Sequence, residues 1–171
     1  MKTILMAAML ALPQPGFSPP DEKPCLSRAE AADMGAFFMP AIIDGVARKC
    51  SAALPGSAFL KGAHRPLTAR LRQEQPARWP RAKAAIEKIG GKKMPSLFGE
   101  EFVQKMAEAT VTGMALQRIG AKDCGTVSEV LGTIAPLPAA NFGRLFALLM
   151  ETGAAGKAED RPFRICEGGG A

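Results

Sequence analysis

Cys25-Leu-Ser-Arg-Ala-Glu-Ala-Ala-Asp-Met-Gly-Ala-Phe-Phe-Met-Pro-Ala-Ile-Ile-Asp-Gly-Val-Ala-Arg-Lys-Cys50 is the stretch whose reading decides the fold. Ser27 followed three residues later by Glu30 is a capping box. The serine oxygen accepts from first-turn amides and the glutamate reaches back, so a helix starts at Arg28. Met34, Phe37, Phe38, Ala41, Ile42, Gly45 and Val46 then recur at three- and four-residue steps, which lays them along one apolar face. Pro40 lies inside that pattern. It lacks an amide donor and its ring crowds the carbonyl four residues earlier, which predicts a kink or a split.

The two cysteines at the ends of this stretch decide the cross-links. The chain has four, Cys25, Cys50, Cys124 and Cys166, with gaps of 25, 74 and 42 residues. Zinc ligands usually come in pairs two to four residues apart, so these gaps argue against a metal site and for two disulfides. A helix of about 22 residues between Cys25 and Cys50 is roughly 33 Å long at about 1.5 Å per residue. A disulfide requires Cα atoms within about 7 Å, so Cys25 must look to Cys124 or Cys166 unless the chain doubles back at Pro40. The expected pairing is Cys25 with Cys166, tying the ends of the domain, and Cys50 with Cys124, joining the ends of two helices.

Working outward, Met1 and Lys2 open the chain, Ile4 to Leu12 are apolar, and Pro13, Pro15 and Gly16 end that run. This is the outline of a secretory signal over residues 1–18, with cleavage expected between Ala11 and Pro20. The alternative, a buried N-terminal helix, is disfavoured because so short an apolar run ended by prolines buries little. It is also far below the roughly 18 residues of a membrane-spanning helix. Residues 19–171 then form a single domain in a periplasmic or secreted, disulfide-permissive compartment.

Downstream, Leu54-Pro55-Gly56 reads as a turn, and Ser57 opens a second helix running to about Gln75. Pro76 and Pro80 predict a break, leaving a short helix over Arg81 to Ile89 with a Gly90-Gly91 stop. Ser96 is the expected cap of the next helix, which ends near Gly120. Its expected core stripe runs through Phe98, Phe102, Met106, Ala109 and Gly113, beside Val103, Ala107, Val111 and Met114. Asp123 caps a shorter helix through Ile134, and Phe142, Leu145, Phe146 and Leu149 give the last helix its stripe before Gly153. No alternating strand pattern of useful length occurs. The expected fold is all-α, a compact bundle of five or six short, proline-interrupted helices stapled by two disulfides.

Catalytic signatures are missing from this pattern. The one histidine, His64, lies in Lys61-Gly-Ala-His-Arg65 with no acid within nine residues, and reads as an exposed ring beside cations. Gly-x-Ser-x-Gly, Ser-x-x-Lys and His-Glu-x-x-His do not occur. Gly91-Lys92-Lys93 lacks both the first glycine and the hydroxyl of a phosphate loop, because Ile86 and Lys93 occupy those places. Glu100 and Glu101 sit in a first helical turn, where the helix dipole accounts for them. No cofactor is implied.

Charge distribution is the feature that rises above background. The 171 residues carry a formal net charge of +6. Residues 61–93 hold Lys61, Arg65, Arg70, Arg72, Arg78, Arg81, Lys83, Lys88, Lys92 and Lys93 against only Glu74 and Glu87. The rest of the chain is slightly acidic, so this one segment produces the whole excess and makes an anionic partner the natural inference. An anionic envelope component or an acidic protein fits an exported chain better than nucleic acid, since Trp79 is the only ring here for stacking on bases.

The leading expectation is an exported, non-catalytic helical protein that binds an anionic surface or partner through residues 61–93. The second is a small exported enzyme, or an accessory subunit of one, whose site assembles only in three dimensions. A cleft bringing His64 to a carboxylate would favour the second, and a solid core with no cleft the first. A third, a chaperone or inhibitor using the nine methionines as adaptable apolar contacts, competes with their simpler use in core stripes.

Overall fold

The computed structural model describes residues 23–93, 99–153 and 161–166. The expected signal segment, and Ser96 and Phe98, lie outside the described residues. The elements are β1 (Cys25–Leu26), α1 (Arg28–Cys50), a 3-10 turn (Phe59–Lys61), α2 (Arg65–Gly90), α3 (Glu100–Gln117), a second 3-10 turn (Ala121–Asp123), α4 (Cys124–Ile134), α5 (Ala139–Glu151) and β2 (Arg164–Ile165). The architecture is all-α, with five helices among the described residues. The two strands are a parallel two-residue pair, Cys25 opposite Arg164 and Leu26 opposite Ile165.

The capping box at Ser27 is formed: Glu30 N–H donates to Ser27 Oγ at 3.2 Å and Ser27 N–H to Glu30 Oε2 at 2.7 Å. From it α1 runs unbroken through Pro40. It is buried on more than the single face that its periodicity suggests. Phe37 packs on Trp79 of α2 with Phe38 edge-on to Phe37, Gly35 faces Phe146 of α5, and Gly45 faces Thr112 and Leu116 of α3. α1 is therefore the axis on which α2, α3 and α5 pack. Pro40 deprives the Ala36 carbonyl of its partner, and α2 anchors the neighbouring turn. Gln75 Nε2, buried, donates to the Phe37 carbonyl at 2.7 Å and to Glu108 Oε1 at 3.0 Å, tying three helices at one point.

The expected break in the second helix does not occur. α2 begins at Arg65 rather than near Ser57, and it is one helix through both Pro76 and Pro80. The two prolines are four residues apart and exposed, so their missing donors cost hydrogen bonds on the solvent side, where carbonyls can turn to water. The inner side carries Leu67, Leu71, Gln75, Trp79, Ala82 and Ala85, all buried, and this continuous seam holds the helix together. Gly91, with φ of 64°, ends it in the left-handed conformation that glycine adopts without a Cβ penalty.

α3 also departs from expectation. It ends at Gln117, and its buried residues are Val103 and Thr112, whereas Phe102, Met106 and Met114 are about half exposed. The helix packs mainly on α1 and meets α2 through a few polar side chains, so only a narrow strip is covered. Trp79, the only tryptophan, marks its N-terminal end: the indole Nε1–H donates to Glu100 Oε1 at 2.7 Å.

Both disulfides pair as expected, and neither bridges the two ends of α1. Cys25–Cys166 has Cα atoms 4.9 Å apart and closes the domain beside the β1–β2 pair. Cys50–Cys124, with Cα atoms 5.5 Å apart, joins the C-terminal residue of α1 to the first residue of α4.

Candidate functional site

The excess of cations on α2 meets carboxylates contributed mainly by α1 and α3. Asp33 accepts from Arg78 Nη1 at 3.0 Å and from Arg81 Nε at 2.5 Å, and Arg78 also pairs with Glu74 within α2. Lys83 reaches Glu100 at 3.0 Å, Lys88 reaches Glu30 at 3.1 Å, and Arg72 pairs with Asp44. Five of the ten sequence-predicted basic residues, Arg72, Arg78, Arg81, Lys83 and Lys88, are thus engaged with carboxylates. Arg70 is turned to the α4–α5 connection, donating to the Ala135 and Leu137 carbonyls at 2.6 and 2.9 Å. The middle of α2 is a charge-matched seam, and the remaining cations divide between its two ends: Lys61 and Arg65 at one, Lys92 and Lys93 at the other.

Two carboxylates in this seam, Glu100 and Glu30, are held ionised by their partners. Lys83 and the Trp79 indole N–H keep the Glu100 carboxyl below its ordinary range. For Glu30, partial burial pushes upward, but the Ser27 amide, Lys88 and the Ser27 hydroxyl together outweigh it and the net shift is downward. A depressed carboxyl stabilises the fold above its unfolded pKa and loses that contribution as the pH falls through its folded value. Trp79 emission should therefore stay native through pH 4.5 and change only below it, as Glu100 protonates. Glu100→Gln should remove that acid step. A transition centred above pH 4.5 would show that the Trp79–Glu100 contact does not hold.

The end of α2 at Lys61 and Arg65 is where a cleft forms. Its floor is His64, immediately before α2, and its walls are the last turns of α1 and the 3-10 turn. His64 is only 8% exposed, not the exposed ring its basic surroundings suggested. The chain turns back between Cys50 and Arg65 and lays the imidazole against Asp44 of α1, Nε2 lying 3.7 Å from Oδ1. The other nitrogen, Nδ1, is enclosed and has no hydrogen-bond partner among the described residues. Around this floor the open cavity, about 740 Å³, is lined by Arg48, Ser51, Lys61, Arg65, Thr68 and Arg72.

Four cations thus face one carboxylate, Asp44, which Arg72 already engages. Lys61 Nζ donates to the Ser51 carbonyl at 2.9 Å and keeps its remaining protons for the cleft. Arg48 and Arg65 are exposed, and their guanidinium groups have no partner among the described residues. Such an arrangement can neutralise and orient an anionic group. It is poorly placed for general-base chemistry, because one imidazole nitrogen faces Asp44 and the other is walled off.

Sequence reasoning found Lys61, Arg65 and Arg72 of this cleft and missed Arg48, Asp44 and the burial of His64. Arg48 and Lys49 read as ordinary cations in the last turn of a helix, where the dipole favours them. The signal that could have found the site is the return of the chain after Cys50, which brings residues 61–65 back onto the end of α1. Compared with protein-family models, curated proteins and solved structures, the chain matches none, so the cleft is read from its own residues alone.

Proposed function

We propose that this protein is an exported, non-catalytic helical module that binds an anionic component of the cell envelope through the basic end of the bundle. The observation that carries the reading is the division of charge. The cations along α2 are matched by carboxylates of the fold, whereas Arg48, Lys61 and Arg65 stand around an open cleft with none of their own. Two disulfides support an oxidising compartment, since such bonds persist there and are rare in the cytosol. No helix among the described residues is long and apolar enough to cross a membrane.

Electrostatic capture of this kind weakens with salt, because exposed charges are screened over about 8 Å at physiological ionic strength. The oxidised protein should co-sediment with phosphatidylglycerol-containing vesicles at low salt and be released as salt rises. Arg48→Gln combined with Arg65→Gln should remove most of the binding, while Lys92→Gln combined with Lys93→Gln should remove less. Binding that ignores salt, or that is absent, rejects the reading. The second reading, a small exported enzyme, draws on the pair that His64 makes with Asp44 in the same cleft. Hydrolysis of a supplied ester, lost on His64→Gln, would favour it.

A further inference from the structure

We propose that the His64 cleft is a specific site for a doubly charged phosphate group, a phosphomonoester or inorganic phosphate, rather than a diffuse basic surface. This rests on the envelope-binding reading and narrows it to one pocket and one ligand chemistry. Three features carry it. Arg48 from α1, Lys61 from the 3-10 turn and Arg65 from the first turn of α2 converge from separate elements on one cavity. Against these three and Arg72, the cavity holds a single carboxylate, Asp44, so a dianion matches the local charge better than a carboxylate or a phosphodiester. Two of the cations are guanidinium groups, whose planar fork fits phosphate oxygens in pairs.

His64 lies against the same cations. It is more than nine-tenths buried and lines the cavity, with Nδ1 enclosed by the fold rather than open to the cleft. Asp44 sets the other side of the ring: with Nε2 facing a carboxylate already bound by Arg72, the imidazole is fixed in place beside the anion site.

The single histidine provides its own reporter. Inorganic phosphate titrated into the oxidised protein at constant pH and ionic strength should move the His64 ring proton resonances saturably. Arg48→Gln and Arg65→Gln should each weaken that binding by about tenfold, the usual weight of a charge-assisted hydrogen bond. Lys92→Gln, at the far end of α2, should leave it unchanged. Competition then separates the sources: displacement of phosphate by vesicles containing phosphatidic acid assigns a membrane-borne phosphomonoester, and its absence assigns a soluble one. A resonance that does not saturate, or one that shifts equally in Arg65→Gln, overturns the phosphate site. If salt-dependent binding to phosphatidylglycerol vesicles persists in that case, only this inference falls. If it is lost too, the envelope-binding reading falls with it.

Discussion

Replacing Cys50 and Cys124 together by alanine is expected to lower the unfolding free energy by about 4 kcal/mol, the value that loop-closure entropy assigns to a link spanning this many residues. The bond separates its partners by 74 positions, and both cysteines are almost completely buried. Its removal acts twice. The unfolded chain regains the freedom of a long loop, and the folded chain loses the one covalent tie between the end of α1 and the start of α4. The cleft should feel this directly, because its floor and walls are built on the return of the chain after Cys50 and the 3-10 turn rests on α4. Leu60 N–H donates to Ser128 Oγ at 3.2 Å across that contact. Urea unfolding of the double variant beside the oxidised protein measures the change. A difference below about 1 kcal/mol would mean that helix packing alone holds α4 in place.

Gly143→Ala should destabilise the bundle by at least about 2 kcal/mol, although alanine is the better helix former. The added Cβ would stand 2.2 Å from the Ala32 carbonyl oxygen and 3.1 Å from the Ala36 Cβ. The nearest atom belongs to the backbone of α1 and cannot swing away as a flexible side chain would, so α5 must lift off the central helix. Overpacking costs about 1 to 3 kcal/mol and occasionally more, and a backbone clash this close stands at or above the top of that range, which leaves about 2 kcal/mol or more after a gain of about 1 kcal/mol from helix propensity. The expected fall in melting temperature is about 4 to 8 °C at the usual 2 to 4 °C per kcal/mol for a chain of this size. Gly113→Ala is the matched control. It lies inside α3 with nothing within 4 Å of where a Cβ would stand, and it should be neutral or stabilising. Equal melting temperatures for the two variants would contradict the close α1–α5 approach.

These two sites differ in how they could be foreseen. The chain itself excluded one cysteine pairing, because a capped helix between Cys25 and Cys50 holds those residues too far apart to bond, and the fold decided between the two that remained. Gly143 carries no such mark. It reads as an ordinary helical glycine until α5 is laid on α1, and Gly35 and Gly45 are equally silent. The prolines illustrate the converse error. Pro76 and Pro80 are strong local breakers, yet they fall on the exposed side of a helix whose inner side is an unbroken seam on α1. Packing against α1 outweighed local preference there. On α3 the apolar residues Met106 and Met114 suggested a buried stripe, and only the number of neighbours available decided that they stay exposed.

What the sequence by itself determined is whatever depends on residues a few positions apart. The capping box at Ser27, the helical class, the Gly91 stop and the exclusion of a Cys25–Cys50 bond all rest on hydrogen bonds and spacings within one or a few turns of chain. What only the tertiary structure decided is which charges meet. Arg78 and Arg81 find Asp33, Lys88 finds Glu30, and His64 settles against Asp44 across 20 to 58 positions of sequence. Coulomb attraction acts through space and is indifferent to order along the chain. The same basic segment could therefore have formed one continuous positive face, and the packing of α2 on α1 instead neutralised its middle and left a cationic cleft at one end.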